Sequence, residues 1–200
     1  MPPFKTAGRL ILASASPRRK ALLQQLGLKF EVMEARIEEK PRPKENPKDF
    51  VLRAASDKTG VVSAGNIEAW VLGADTVVVW NNIILGKPRD AGHAAQILQS
   101  LSGRSHQVHT GFCLQNEKKG VSVRKVVSTE VTLSHFSGKI AAAYVTTGEP
   151  LDKAGAYGIQ GCGGFLVEKI NGSYSNVVGL PLAEVVEELQ RYKVIIPVSK

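Results

Sequence analysis

The chain has 200 residues, of which 43% are hydrophobic and 22% are charged, a balance that allows a sizeable core and argues against disorder. The formal net charge of +8 at pH 7 favours an anionic partner, either a nucleotide, a nucleic acid or an acidic membrane. No apolar run reaches the ~20 residues of a membrane helix, and the N-terminal one is shorter than the ~7 residues of a signal-peptide core. We therefore expect one cytoplasmic domain over residues 1–200 that does not enter a membrane.

The first predicted unit is a strand over residues 10–12 that leads into a helix through the sequence ASASPRRK. Ser16 is a good N-cap and Pro17 suits the first helical position. Arg18 and Arg19 then lie in the first turn, where the helix dipole disfavours cations. An anion bound to the helix start would make this arrangement favourable, since arginine forks match phosphate oxygens. We predict a phosphate site here, the alternative being a capped surface helix with solvated arginines.

The elements that follow mix helices and strands without strict alternation. Helices are predicted from Pro47 to about Lys58 or a little beyond with Asn46 as the cap, from Asp90 through Leu101, over about 138–147, and from Pro181 to about Tyr192. Strands are predicted over residues 70–80, 83–85, 105–115, 121–133 and 165–170. This order predicts an α/β or α+β domain with a mixed sheet.

Four charged residues at three places in the chain are candidates for chemistry. Asp75 interrupts an apolar strand, where a carboxylate is costly unless it is paired, hydrogen-bonded or bound to metal. It is either a structural residue bonded in a bulge near Gly73, or a Mg²⁺ ligand and proton acceptor. Lys87 would be an ordinary surface lysine, but beside a phosphate site it could neutralise phosphate charge. Glu38 and Glu39 are either solvated acids or, with Asp75, part of a Mg²⁺ site.

The glycine-rich stretch GAYGIQGCGG over residues 155–164 matches neither a Walker A loop nor a dinucleotide fingerprint. It is interpreted as a loop that needs unusual backbone dihedrals, in which Gln160 could read a base edge. His106 and His109 would face opposite sides of a strand and do not suit a shared zinc. Cys113 and Cys162 lack a CxxC spacing and are expected to be reduced, mostly buried thiols.

Taken together, these motifs resemble the Maf family of nucleoside triphosphate pyrophosphatases. The matching pieces occur in the family's order and cover nearly the whole chain; they are LILASASPRRKALLQQLGLKFEV, RIEEK, VLGADTVV, GKPRDAGHAAQILQSLSGRSHQVHTG and GEPLDKAGAYGIQGCGGFLVEKINGSYSNVVGLPL. The resemblance implies an elongated α/β fold, related to inosine triphosphate pyrophosphatase. In that fold a mixed sheet with surrounding helices forms two lobes and a central cleft.

The resemblance also implies an activity, the hydrolysis of a nucleoside triphosphate to its monophosphate and pyrophosphate with a divalent metal, Mg²⁺ or Mn²⁺. The form GAYGIQG is similar to the branch that acts on dTTP and UTP, whereas a sister branch prefers 7-methyl-GTP. A homodimer is plausible from the family, and no stable nucleic acid complex or membrane contact is expected. The implied roles are proton acceptor for Asp75, metal ligands for Glu39 and Asp75, phosphate contacts for Ser14, Arg18, Arg19 and Lys87, and base choice for Arg18, Thr76 and Gln160. Lys58 matches a family lysine expected to be catalytic, but its setting, SDKTG, departs from the family pattern.

The mechanism expected from these roles is metal-assisted attack of water on the α-phosphorus, with Asp75 orienting or deprotonating the water. Cationic side chains would stabilise the pyrophosphate leaving group. Two alternatives stay open. One is a non-catalytic nucleotide- or nucleic-acid-binding protein, which the net charge favours but an aromatic content of 6% does not. The other is a phosphatase that releases orthophosphate.

Overall fold

The computed structural model describes residues 2–198. The strands in this part are β1 Phe4–Thr6, β2 Leu10–Leu12, β3 Glu31–Val32, β4 Trp70–Trp80, β5 Ile83–Leu85, β6 Ser105–Asn116, β7 Val121–Leu133, β8 Val167–Asn171 and β9 Ile195–Pro197. The α-helices are α1 Pro17–Gln25, α2 Pro47–Ala64, α3 Ala91–Leu101, α4 Gly138–Val145, α5 Tyr174–Val178 and α6 Leu182–Arg191. Short 3₁₀ helices cover Glu149–Asp152, Ala154–Ala156 and Cys162–Leu166.

The main sheet is mixed, as predicted. Its strand order is β3-β2-β4-β6-β7-β8, with β5 paired to β4, while β1 and β9 form a separate antiparallel pair. The short strand β2 lies between β3 and β4 and is parallel to both, and all three of its residues are buried. A central parallel strand is covered on both faces, which is why its sequence is continuously apolar. The α/β fold with a mixed sheet is therefore confirmed.

The chain forms two compact units. Unit 1 comprises the residues up to Asp75, Thr110–Val127 and the residues from Gly179 onward; unit 2 comprises Thr76–His109 and Ser128–Val178. A buried cluster of unit 1 includes Ile11, Ala13, Ala35, Val62, Ala69 and Val71. Unit 2 has its own core, which includes Ile97, Leu98, Leu101, Val108, Val131, Leu133, Tyr144 and Tyr157. Two units agree with the expected two lobes, and the expected cleft stays a prediction.

Local capping signals place the helices as the sequence predicts. The side chain of Asn46 accepts a hydrogen bond from the backbone N–H of Lys48 at 2.9 Å and begins α2. The side chain of Asp90 accepts one from the backbone N–H of His93 at 2.7 Å and begins α3. None of the helices among residues 2–198 has both the length and the hydropathy needed to cross a membrane.

Several details differ from the prediction. Residues 165 and 166 belong to a 3₁₀ helix, so β8 begins at Val167, and the helix predicted over 138–147 ends at Val145. Both cysteines are unpaired, but Cys162 is exposed and only Cys113 is buried, so the expectation of two mostly buried thiols is wrong for Cys162. The two histidines do face different partners, since His106 bonds to the hydroxyl of Tyr157 and His109 to that of Ser128.

Candidate functional site

The loop from β2 into α1 has the geometry of an anion site. The hydroxyl of Ser16 accepts a hydrogen bond from the backbone N–H of Arg19 at 3.4 Å, and Pro17 lies in the first turn. The hydroxyl of Ser14 accepts a hydrogen bond from the backbone N–H of Ser16 at 3.2 Å, so two serines fix the loop. The first turn of α1 lies within the residues that the structure describes and contains no acidic residue. No carboxylate of the first turn therefore balances the positive end of the helix dipole, and the helix start suits an anion.

Arg19 is buried in this loop rather than exposed. Its Nε donates to the carbonyl oxygen of Gly179 at 2.7 Å and its Nη1 donates to Oγ of Ser14 at 3.1 Å. Burial lowers the pKa of the Arg19 guanidinium, whereas the carboxylates of Asp75 and Glu39 raise it. Arg19 thus ties the start of α1 to the segment at Gly179, a role that the sequence does not predict. Its predicted contact with phosphate stays a prediction.

Lys58 bridges two carboxylates. Its Nζ lies 2.7 Å from Oδ1 of Asp75 and 2.9 Å from Oε1 of Glu39. Lys58 and Asp75 are buried, while the side chain of Glu39 is 50% exposed. The buried Asp75 is therefore paired, but its partner is the lysine of α2 rather than backbone in a bulge near Gly73. Lys58 therefore contacts both of the residues that are expected to bind a metal, Glu39 and Asp75.

The absence of a side chain at Gly73 allows this pairing. A Cβ at Gly73 would collide with Oγ1 of Thr59 and lie 2.7 Å from the carbonyl oxygen of Ala55. Both of these neighbours are in α2, so the helix packs directly on the backbone of β4 at this point. That close approach sets Lys58, one residue before Thr59, beside the carboxylate of Asp75.

Ser14 and Asp75 belong to neighbouring parallel strands, Ser14 just after the end of β2 and Asp75 in the middle of β4. Leu12 of β2 pairs with Leu72 of β4, and the backbone N–H of Ala13 donates to the carbonyl oxygen of Leu72 at 2.8 Å. The chain therefore leaves the sheet at the end of β2, next to the part of β4 that contains Asp75. Ligands of open α/β sheets bind beyond the carboxyl ends of strands, so the end of β2 combines a helix start with a buried carboxylate of the neighbouring strand where a ligand is expected.

The two carboxylates fit the predicted divalent metal. Both are hard oxygen donors, and both already converge on one cation, the Lys58 ammonium. Mg²⁺ takes one or two carboxylates together with substrate phosphates, so it does not need a larger protein cage. Within residues 2–198 no group of three or more His, Cys, Asp or Glu side chains is arranged to hold a metal. The donor set suits a metal that is shared with a phosphate ligand.

The remaining predicted site residues are Arg18, at the same helix start, and three residues of unit 2. Arg18 is half-buried in the first turn of α1. Thr76 is half-buried, Lys87 and Gln160 are exposed, and all three belong to unit 2. The antiparallel pairing of Val78 with Leu85 directs the chain at Lys87 back towards Thr76, as the predicted hairpin requires. The roles expected for these four residues stay predictions.

Hydrogen bonds to two residues outside the glycine-rich stretch hold its backbone, and the sequence does not predict them. Gly155 has a φ of 73° and Ala156 a φ of 58°, so unusual dihedrals are confined to its start. The later part is organised by Tyr144 and Glu149, two residues outside the stretch, which bond to its backbone. Glu149 lies in the matched piece beginning GEPLDK, but nothing in the local pattern indicates these contacts.

The comparisons with known proteins agree with this fold. A HAM1 protein from Coxiella burnetii has a TM-score of 0.50 at 16% identity, covering 92% of this chain and 98% of its own, which shows a shared fold. The family model described as Maf-like protein matches residues 9–192, and the chain belongs to the Maf family.

Curated relatives are similar along nearly their whole length. A protein named dTTP/UTP pyrophosphatase from Desulfotalea psychrophila is 53% identical over 96% of this chain and 98% of its own. Another of the same name from Geobacter sulfurreducens is 48% identical over 92% of this chain and 96% of its own. The resemblance seen in the sequence motifs is confirmed.

Proposed function

We propose that this protein hydrolyses dTTP and UTP to the nucleoside monophosphate and pyrophosphate. The observation that carries the proposal is the buried carboxylate of Asp75, which is paired with Lys58 in the part of β4 beside the end of β2, where the serine-fixed start of α1 follows. A polyanion-binding surface has no use for a buried carboxylate at its phosphate site. The names of the curated relatives, at about half identity over nearly the whole chain, support the choice of substrate.

The start of α1 binds the phosphates in this proposal. Backbone N–H groups at a helix start donate to phosphate oxygens, and the helix dipole favours the negative charge. Arg18 in the first turn adds a forked donor, and Ser14 and Arg19 hold the loop in shape. Lys87 neutralises phosphate charge, and Arg18, Thr76 and Gln160 select the base. The triphosphate thereby supplies an anion to the first turn of α1, which carries cationic side chains and no acidic residue.

Asp75 acts on the water. Its carboxylate is buried, fixed on a central strand and held by Lys58, so it has a single orientation from which to accept a proton. Lys58 compensates the buried negative charge and positions the carboxylate. Glu39, which shares Lys58 with Asp75, is half exposed and can turn towards a ligand at low cost.

Glu39 and Asp75 would hold a divalent metal, Mg²⁺ or Mn²⁺, together with the substrate phosphates. When bound, such an ion supplies positive charge to the phosphate oxygens. Proton transfer to Asp75 and stabilisation of the leaving pyrophosphate by lysine and arginine are the tasks of the protein itself. The cytoplasmic location and the homodimer expected from the family stay predictions.

The test is a panel of nucleoside triphosphates with Mg²⁺ or Mn²⁺, scored for pyrophosphate, orthophosphate and monophosphate. We expect pyrophosphate from dTTP and UTP, and none from the Asp75→Asn variant. Asp49→Asn is the matched control, because Asp49 is an exposed carboxylate in the first turn of α2. Turnover of 7-methyl-GTP alone would overturn the substrate, orthophosphate as the product would overturn the reaction, and no turnover by folded protein would leave a binding protein.

A further inference from the structure

The carboxylate of Glu149 anchors the glycine-rich segment 158–163. Its Oε2 accepts a hydrogen bond from the backbone N–H of Cys162 at 2.8 Å. Its Oε1 accepts one from the backbone N–H of Gly163 at 3.3 Å and one from the hydroxyl of Tyr144 at 2.9 Å. Three donors therefore converge on one half-buried carboxylate, and two of them are backbone groups of the segment.

Tyr144 anchors the other end of the same segment. Its hydroxyl oxygen accepts a hydrogen bond from the backbone N–H of Gly158 at 3.0 Å, while its proton is donated to Glu149. Burial raises the pKa of the Tyr144 hydroxyl, so it keeps the proton it donates at physiological pH. The hydroxyl group of Tyr144 thus links Glu149 to Gly158 and closes a network around the segment.

Glycines allow the segment to lie this close to its two anchors. A Cβ at Gly158 would lie 2.6 Å from Oε1 of Glu149, and a Cβ at Gly161 would lie 2.5 Å from Oε2. A Cβ at Gly163 would collide with the hydroxyl of Tyr144. These three glycines do not have a positive φ, so close approach, rather than a special dihedral, explains them.

Gln160 is an exposed residue between the two anchored ends. It lies two residues after Gly158 and two before Cys162, and the backbone N–H groups of both of these residues are bonded to the network. A side-chain amide can read a base edge only if its backbone is fixed, because mobile donors lose selectivity.

We infer that Glu149 and Tyr144 are positioning residues that fix the segment carrying Gln160 and thereby set the selectivity for a uracil or thymine base. The inference rests on the proposed function, since it assigns Gln160 to the base. It adds two residues that touch no substrate and act through the backbone of segment 158–163.

The test compares Glu149→Gln and Tyr144→Phe with Glu168→Gln, an exposed glutamate of β8 in the same unit. Tyr144→Phe keeps the ring and its packing, and removes only the hydroxyl. Amide hydrogen exchange of the peptide over 158–163 is measured first, without nucleotide. We expect exchange of these amides to speed up by about 10-fold or more in both variants and not in the control.

Kinetics with UTP and CTP then report selectivity. We expect the ratio of kcat/KM for UTP to that for CTP to fall by about 10-fold, mainly through a higher KM for UTP. A merely structural role would lower activity on both nucleotides alike. Gly161→Ala is a second route to the same result, because its methyl group would collide with the carboxylate of Glu149 and separate it from the segment without removing any polar group of the network.

The outcomes separate the inference from the proposed function. Unchanged exchange in Tyr144→Phe and Glu149→Gln would refute the network as an anchor, whatever the enzyme does. Faster exchange with an unchanged UTP to CTP ratio would refute its role in selectivity. A wild-type protein that hydrolyses neither dTTP nor UTP would overturn the proposed function and with it the assignment to a base. If Glu149→Gln does not fold, Tyr144→Phe and Gly161→Ala decide the matter.

Discussion

Replacing Lys58 with methionine isolates the buried ion pair of the candidate site. The substitution keeps the length of the side chain and removes the charge that lies 2.7 Å from Asp75. At that distance Coulomb's law gives an attraction of about 6 kcal/mol for an effective dielectric constant of about 20. Most of this attraction offsets the desolvation of two buried charges, so the intact pair contributes little net stability.

Removing only one member of the pair is strongly destabilising, because Lys58→Met leaves the Asp75 carboxylate buried without the cation that lies 2.7 Å from it. We expect a loss of about 3–5 kcal/mol in the free energy of unfolding. In the double variant Lys58→Met/Asp75→Asn neither member of the pair is charged, so it should be more stable than Lys58→Met by about 2 kcal/mol. Such a recovery lies within the range of coupling energies between contacting residues.

The assay is urea unfolding followed by tryptophan fluorescence, since Trp70 is buried in β4. Lys118→Met is the matched control, because its ion pair with Glu68 is as short, 2.6 Å, but both side chains are more than half exposed. It should cost less than about 1 kcal/mol. Additive effects of Lys58→Met and Asp75→Asn, or equal losses in Lys58→Met and Lys118→Met, would refute the reasoning that burial makes the pair critical.

Three further changes have expected outcomes. Gly73→Ala should destabilise the protein by about 1–3 kcal/mol in urea unfolding and lower kcat, because its methyl group pushes Thr59 and α2 away from β4; a stable, fully active variant would contradict this. Arg19→Lys should raise the KM for dTTP, because an ammonium group cannot replace the guanidinium that donates to both Gly179 and Ser14. An unchanged KM would show that these two hydrogen bonds are not needed for substrate binding. Burial lowers the pKa of His106 to about 4, so the folded protein binds fewer protons than the unfolded chain between about pH 6.5 and 4. The free energy of unfolding should therefore fall by about 2–3 kcal/mol from pH 7.5 to 4.5 because of His106. The His106→Gln variant should lack this part of the pH dependence, and an unchanged pH dependence in the variant would refute the role of His106.

Local chemistry made much of the fold predictable. The caps Ser16, Asn46 and Asp90 each act on a backbone N–H within three residues, so short-range sequence patterns are enough to place α1, α2 and α3. The mixed sheet follows from the order of these elements. The small pair of β1 with β9 was missed because its strands lie at opposite ends of the chain and each has only three residues.

Long-range contacts explain what sequence reasoning missed in the site. The burial of Arg19 depends on the carbonyl of Gly179, which lies 160 positions later in the chain. Asp75 was identified as costly to bury, but its pairing with Lys58 depends on how α2 packs on β4. The role of Glu149 depends on backbone groups of a loop, and backbone groups have no sequence signature. Candidate residues could be selected from motifs, whereas their partners required the structure.

The hydrogen bond between Arg19 and Gly179 has a consequence for synthesis of the protein. The loop before α1 is synthesised early, whereas the carbonyl that accepts the hydrogen bond from Nε of Arg19 is made 160 residues later. A nascent or prematurely terminated chain that lacks residue 179 therefore has no such acceptor for this arginine, even if β2, α1 and α2 have already formed. The hydrogen bond that ties the start of α1 to Gly179 forms only after translation has passed that residue.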